Sequence, residues 1–94
     1  MYTKGAMAMA SEMIRRSTVG NEIASQVRMM IDVHEESMQR AQNESLSMEI
    51  RMDAMRSAEL RRYTARQLLH LARRIGAAAT VEKEFQASNW DTNY

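Results

Sequence analysis

The chain contains no cysteine and no proline, and only three of its 94 residues are glycine. The lack of cysteine excludes a disulfide framework, a thiolate metal site and a cysteine nucleophile. Proline is the residue that most strongly disrupts a helix interior, so its absence is compatible with long helices. The many Ala, Met, Glu, Gln and Arg residues also favour helix. The sequence therefore predicts an all-α protein.

Long apolar runs are also absent. No stretch approaches the roughly 18 apolar residues that a membrane-spanning helix needs, and the apolar run after Lys4 is shorter than the core of a signal peptide. We therefore expect a soluble, cytoplasmic protein that has no membrane partner. A single domain of this length, residues 1–94, buries only about 60 to 65% of its unfolded surface, which favours self-association.

The sequence lacks the motifs of common catalytic sites. It has no Gly-rich phosphate loop, no serine nucleophile elbow and no HExxH motif. Neither His34 nor His70 has a carboxylate at the helical spacing that a metal site requires. We therefore predict that the protein is not an enzyme and that it uses no catalytic residue, no cofactor and no metal ion. His34 lies on an apolar helix face and is expected to be a packing or interface residue.

Helical segments with few breaks make up most of the chain. Gly20 and Asn21 predict the first break, because glycine favours the end of a helix and asparagine favours the start of the next. Gly76 predicts the end of the longest helix. The predicted elements are a short helix at 4–17, a helix at 21–42, a long helix at 44–75, a short helix at 79–88 and a tail at 89–94.

Residues 42–48 decide the fold. If the chain turns there, the helices on either side form a long antiparallel helical hairpin, with short helices at both ends. If it does not turn, residues 21–75 form one helix of about 80 Å that must oligomerise. The hairpin is favoured because residues 21–49 carry a net charge of −4 and residues 50–75 carry a net charge of +5.

Both main helices are amphipathic. The apolar face of helix 21–42 comprises Ile23, Val27, Met30, Ile31, His34, Met38 and Ala41. The apolar arc of helix 44–75 spans about 160° and comprises Ile50, Ala54, Ala58, Leu60, Ala65, Leu68, Leu71, Ala72 and Ile75. Such an arc needs a packing partner, and we predict that two copies of the chain dimerise into a helical bundle.

A stripe of arginines runs along the other side of helix 44–75. It comprises Arg51, Arg62, Arg66 and Arg73, which fall within about 60° of one another. One interpretation is a lattice of ion pairs with the acidic helix. The alternative is a surface that neutralises nucleic-acid phosphates. Arg61 lies inside the apolar arc instead, where it needs a carboxylate from another helix or chain or serves as an anchor for a partner protein.

Most of the large aromatic area lies near the C-terminus, at Phe85, Trp90 and Tyr94. These side chains either pack over the end of the bundle or dock onto another protein. We predict a non-enzymatic protein-interaction module, such as a regulator, inhibitor or assembly factor. It would act through Met-rich and Arg-bearing helix faces, Arg61 and these three aromatics. The alternative is a nucleic-acid-binding protein that uses the arginine stripe.

Overall fold

A computed structural model describes the backbone of residues 4–93 and the side chains of residues 11–93. Residues 4–87 contain three helices, α1 (Lys4–Gln42), α2 (Met48–Arg74) and α3 (Ala78–Ala87). The described residues form no strand, which confirms the predicted all-α class. No helix among them is long and apolar enough to cross a membrane.

The predicted break at Gly20 and Asn21 is wrong, because α1 continues through both residues. A glycine inside a helix lowers stability by roughly 0.5–1 kcal/mol relative to alanine, but it does not end the helix. Gly20 is buried, and a Cβ atom added there would lie 3.1 Å from the carbonyl oxygen of Ala77. The glycine therefore permits a close approach between α1 and the turn after α2.

The chain leaves the helix between α1 and α2, so the single continuous helix is excluded. The Asn43 side chain accepts hydrogen bonds from the backbone N–H of Ser45 (3.0 Å) and from its hydroxyl (2.6 Å). Ser47 is the N-cap of α2, and its hydroxyl accepts from the backbone N–H of Ile50. The second helix consequently begins at Met48, four residues later than predicted.

Gly76 ends α2 as predicted. Its φ of +70° lies in the left-handed region, which glycine adopts without the steric penalty of a Cβ atom. The backbone N–H of Ala77 donates to the carbonyl of Ala72 at 2.8 Å, and the N–H of Gly76 donates to the carbonyl of Arg73 at 3.2 Å. This pair of bonds is a Schellman motif, which satisfies carbonyls that the helix end leaves free.

The end of α3 repeats this motif with a different residue. Asn89 takes the left-handed conformation, with φ of 57°. The N–H of Trp90 donates to the carbonyl of Phe85 at 2.8 Å, and the N–H of Asn89 donates to that of Gln86 at 3.1 Å. In Schellman motifs the two residues joined by the longer hydrogen bond often make an apolar contact as well. Here these residues are Phe85 and Trp90, whose rings lie 5.8 Å apart, edge to face.

The helices α1 and α2 pack along one another from the turn to Gly20. The hydroxyl of Ser37 donates to that of Ser57 at 3.4 Å, and Nε of Arg51 donates to the carbonyl of Ala41 at 2.8 Å. The helix α3 lies against α1 as well, where Arg28 pairs with Glu84 at 3.5 Å. The main core cluster comprises Ile23, Ala24, Val27, Ile31, Ala65, Leu69, Ala72, Val81 and Phe85.

The molecule is elongated, with extents of 68 × 20 × 18 Å and a radius of gyration of 17.8 Å. A compact domain of this length has a radius of gyration of about 12 Å. The accessible surface is 7017 Å², whereas a compact monomer of 10.8 kDa exposes about 5500 Å². Part of the excess lies on residues 11–19 of α1, which are all exposed.

Candidate interaction surface

The apolar arc of α2 is only partly used by the chain's own core. The buried residues of the arc are Ala54, Ala58, Ala65 and Ala72. Leu69, which the predicted arc leaves out, is also buried. Three larger side chains of the arc remain outside: Ile50 is 47% exposed, Leu60 is 56% exposed and Leu71 is 45% exposed. Alanine lets two helices approach closely but removes little apolar area from water. Ile50, Leu60 and Leu71 are therefore left exposed, whereas Leu68 and Ile75 of the same arc are half-buried against the core.

These exposed side chains border one side of the groove between α1 and α2. Two clefts lie in that groove, one between Gln26 and Leu68 and the other between Arg40 and Ile50. No described residue of α3 or of the segment after it lines either cleft. We call this side the open face; it comprises Glu22, Gln26, Met29, Val33 and Arg40 of α1 together with Ile50, Leu60, Arg61, Thr64, Leu68 and Leu71 of α2.

Arg61 lies where the open face meets the core. Its side chain is partly buried, and its Nε is a buried donor without a hydrogen-bond partner among the described residues. A buried donor left unpaired costs roughly 1–3 kcal/mol. The predicted need of Arg61 for an acceptor is therefore not met within the described chain.

The predicted arginine stripe lies beside the core, and its members have partners within the chain. Arg51 donates to the last turn of α1, as described above. The guanidinium of Arg62 lies 5.3 Å from the ring centroid of Trp90, and Arg66 also has a partner. Arg73 binds Glu82 at 3.2 Å and donates to the carbonyl of Thr92.

These contacts differ from the predicted ion-pair lattice. Glu82, the carboxylate that Arg73 binds, belongs to α3 and not to the acidic helix 21–42. Arg51 contacts a backbone carbonyl and Arg62 contacts an aromatic ring. The stripe thus joins α2 to both other helices, and this weighs against its use for binding phosphates.

The aromatic residues near the C-terminus serve the fold in different ways. Phe85 is fully buried, with no exposed side-chain area. Trp90 is half-buried, and its ring meets the His34 ring edge to face at 5.0 Å. Tyr94 lies outside the described residues. Trp90 therefore fastens the segment after α3 onto α1 and α2, along the side of the bundle and not over its end.

His34 takes part in the same cluster. Its pKa is lowered from the ordinary value of 6.5, first by burial and second by the positive charge of Arg62. Glu35 opposes this shift by raising the pKa. The neutral imidazole is thus the favoured form near pH 7, which suits a packing residue between a guanidinium and an indole ring.

The sequence contains a signal for the open face that a simple search for apolar residues misses. Within the apolar arc of α2, the alanines Ala54, Ala58, Ala65 and Ala72 cluster toward one edge, and the larger Leu60, Leu71 and Ile75 lie toward the other. The alanine edge permits close packing, whereas Leu60 and Leu71 of the bulky edge remain exposed and Ile75 is half-buried against the core. Size, and not hydrophobicity alone, separates the two.

No group of three or more His, Cys, Asp or Glu side chains that could hold a metal ion occurs among the described residues. Comparisons with protein-family models, with curated proteins and with solved structures return no match for this chain.

Proposed function

We propose that this chain is a non-enzymatic protein-interaction module of the regulator, inhibitor or assembly-factor class. Its helices α1 and α2 form an antiparallel hairpin, and the open face of that hairpin binds the partner. The observation that supports this most directly is the exposure of Ile50, Leu60 and Leu71 on one side of α2.

The spacing of these side chains supports a continuous binding surface. Leu60, Thr64, Leu68 and Leu71 follow one another at intervals of three or four residues, so they form a ridge along one side of the helix. Single exposed apolar residues are common on protein surfaces, but aligned ones mark grooves and faces that receive another helix.

The surface excess and Arg61 support the same proposal. The chain exposes about 1500 Å² more than a compact monomer of its mass, and this excess lies on residues 11–19 of α1 as well as on the open face. Arginine is enriched among residues that contribute most to binding, and an acceptor from a partner would satisfy the buried Nε of Arg61.

Site-specific photo-crosslinking tests this proposal. A photoreactive amino acid placed at Leu60 in the cells that make the protein should give discrete protein adducts under ultraviolet light. The matched control places the same group at Met52, which is 49% exposed on α2 but lies outside the open face. Adducts from position 60 and none from position 52 support the proposal. Equal yields, or none from position 60, contradict it.

A further inference from the structure

The α1 part of the open face carries opposite charges at its two ends. Glu22 and Arg40 are 18 residues apart, which is five helical turns, so they project from the same side of α1. Both are exposed, and neither forms an ion pair with another described side chain. The α1 side of the face thus begins at an acidic residue and ends at a basic one, with the exposed Glu36 one helical turn before Arg40 and about 40° away from it around α1.

Apolar side chains fill the space between these charges. Met29 of α1 is 55% exposed and Val33 is half-buried. Near one end of the helix pair Ser37 of α1 contacts Ser57 of α2, and at the other end Gly20 contacts Ala77. Interpolation between these two contacts places Thr64 of α2 level with the midpoint between Glu22 and Arg40 of α1. The ridge of Leu60, Leu68 and Leu71 runs to either side of Thr64.

We propose that the partner of the open face is a second copy of this chain, an inference that rests on the proposed function. The two copies are related by a two-fold axis that passes near Thr64 and runs perpendicular to the helices. This rotation reverses α1, so Glu22 of each copy meets Arg40 of the other. It also sets Leu60 of each copy opposite Leu68 of the other, and it places Arg61 near the centre of the interface.

The alternative alignment, with both α1–α2 turns at the same end, fits the charges less well. It would bring Arg40 of one copy to Asp53 of the other. Asp53 already binds Arg56 at 3.2 Å within its own chain. Glu22 and Arg40 are without such partners, and this favours the antiparallel arrangement.

The size of the open face suits a dimer. The helices run together over residues 20–42 of α1, which is about 35 Å, and the molecule is about 20 Å wide. The face thus measures roughly 700 Å² per copy, close to the 800 Å² or so that each partner buries in a stable interface. An isologous contact of this kind closes on itself and forms a four-helix arrangement.

The lack of cysteine makes this proposal testable by single-cysteine variants and a short bismaleimide. Thr64→Cys alone should give covalent dimers, because the residue meets its own copy across the axis. Glu22→Cys mixed with Arg40→Cys should give a mixed dimer that neither variant gives alone. Met52→Cys, outside the open face, should give no covalent dimer under the same treatment.

Charge reversal gives an independent test. Glu22→Arg and Arg40→Glu should each raise the dimer dissociation constant about two- to thirtyfold, because the two-fold axis repeats the pair and each exposed ion pair changes the constant about 1.4- to fivefold. The double variant should return toward the value of the parent protein, because the two charges have exchanged places. Additive losses in the double variant would contradict the pairing of these two residues.

The outcomes separate this inference from the proposed function. If the purified parent protein is monomeric over a wide range of concentrations and Thr64→Cys does not cross-link, the second copy is rejected. Photo-adducts from Leu60 to a different protein would then retain the proposed function. Absence of both kinds of adduct rejects both proposals. Cross-linking of Arg40→Cys with Asp53→Cys, and not with Glu22→Cys, contradicts the antiparallel arrangement.

Discussion

The indole ring of Trp90 meets the imidazole ring of His34 edge to face, with 5.0 Å between their centroids. Arg62 of α2 and Phe85 of α3 contact the same indole. One side chain thus joins all three helices. As Trp90 is the only tryptophan in the chain, its fluorescence reports on this cluster alone.

Stability should depend on pH through His34. The pKa of His34 is lowered in the folded chain, so between that pKa and 6.5 the unfolded chain binds a proton that the folded chain does not. The free energy of unfolding should therefore decrease as the pH falls below about 6.5. We expect a lower urea midpoint at about pH 5.5 than at about pH 7.5. His34→Phe, which keeps an aromatic ring, should show a smaller decrease; an unchanged decrease would contradict this role.

Because Asn89 adopts the left-handed conformation, most residues that replace it should lower the free energy of unfolding. Asn89→Ala should lower the free energy of unfolding by roughly 1 kcal/mol, because a Cβ atom without a polar side chain disfavours positive φ. Asn89→Gly should leave it nearly unchanged. Urea unfolding followed by Trp90 fluorescence measures both. The control is Gln86→Ala in the same helix, and equal effects of Asn89→Ala and Gln86→Ala would contradict the prediction.

The contact between Gly20 and Ala77 should not tolerate a large side chain. Gly20→Leu should lower the free energy of unfolding by about 1–3 kcal/mol, because the new atoms overlap the backbone of the turn after α2. Val19→Leu at the neighbouring position, which is 39% exposed, should be nearly neutral. Thermal unfolding followed by circular dichroism compares the two, and similar melting temperatures would show that the contact is not close in solution.

Arg73 should hold the segment after α3 in place. Arg73→Gln removes the ion pair with Glu82, and we expect a loss of about 1 kcal/mol because both groups are partly exposed. It also weakens the bond to Thr92, so proteolytic cleavage near the C-terminus should become faster. Arg74→Gln, one residue along and exposed, is the control. Equal cleavage rates in both variants would contradict the assignment.

Local chemistry predicted much of the fold. The turn near Asn43, the end of α2 at Gly76 and the burial of Ile23, Val27 and Ile31 all follow from short-range patterns in the sequence. Each depends on residues within one or two helical turns of one another. Such signals are visible before any tertiary contact is known.

The contacts that the sequence did not predict join distant residues. Gly20 lies inside α1 and packs against Ala77, which is 57 residues away along the chain. Arg73 binds Glu82 and Thr92, and neither partner can be inferred from helical periodicity in α2. The exposure of Leu60 and Leu71 likewise depends on where α1 and α3 lie, so a helical wheel alone cannot separate the core from the open face.

The most direct test of the central claim is the mass of the purified protein by sedimentation equilibrium, measured for the parent, Leu60→Asp and Met52→Asp. The account predicts that the parent and Met52→Asp sediment as dimers of the 10.8 kDa chain. We expect Leu60→Asp to be monomeric with unchanged helical circular dichroism, because Leu60 is 56% exposed in the single chain and would be buried in the proposed dimer. A monomeric parent, or a Leu60→Asp variant that dimerises like the parent, would contradict it.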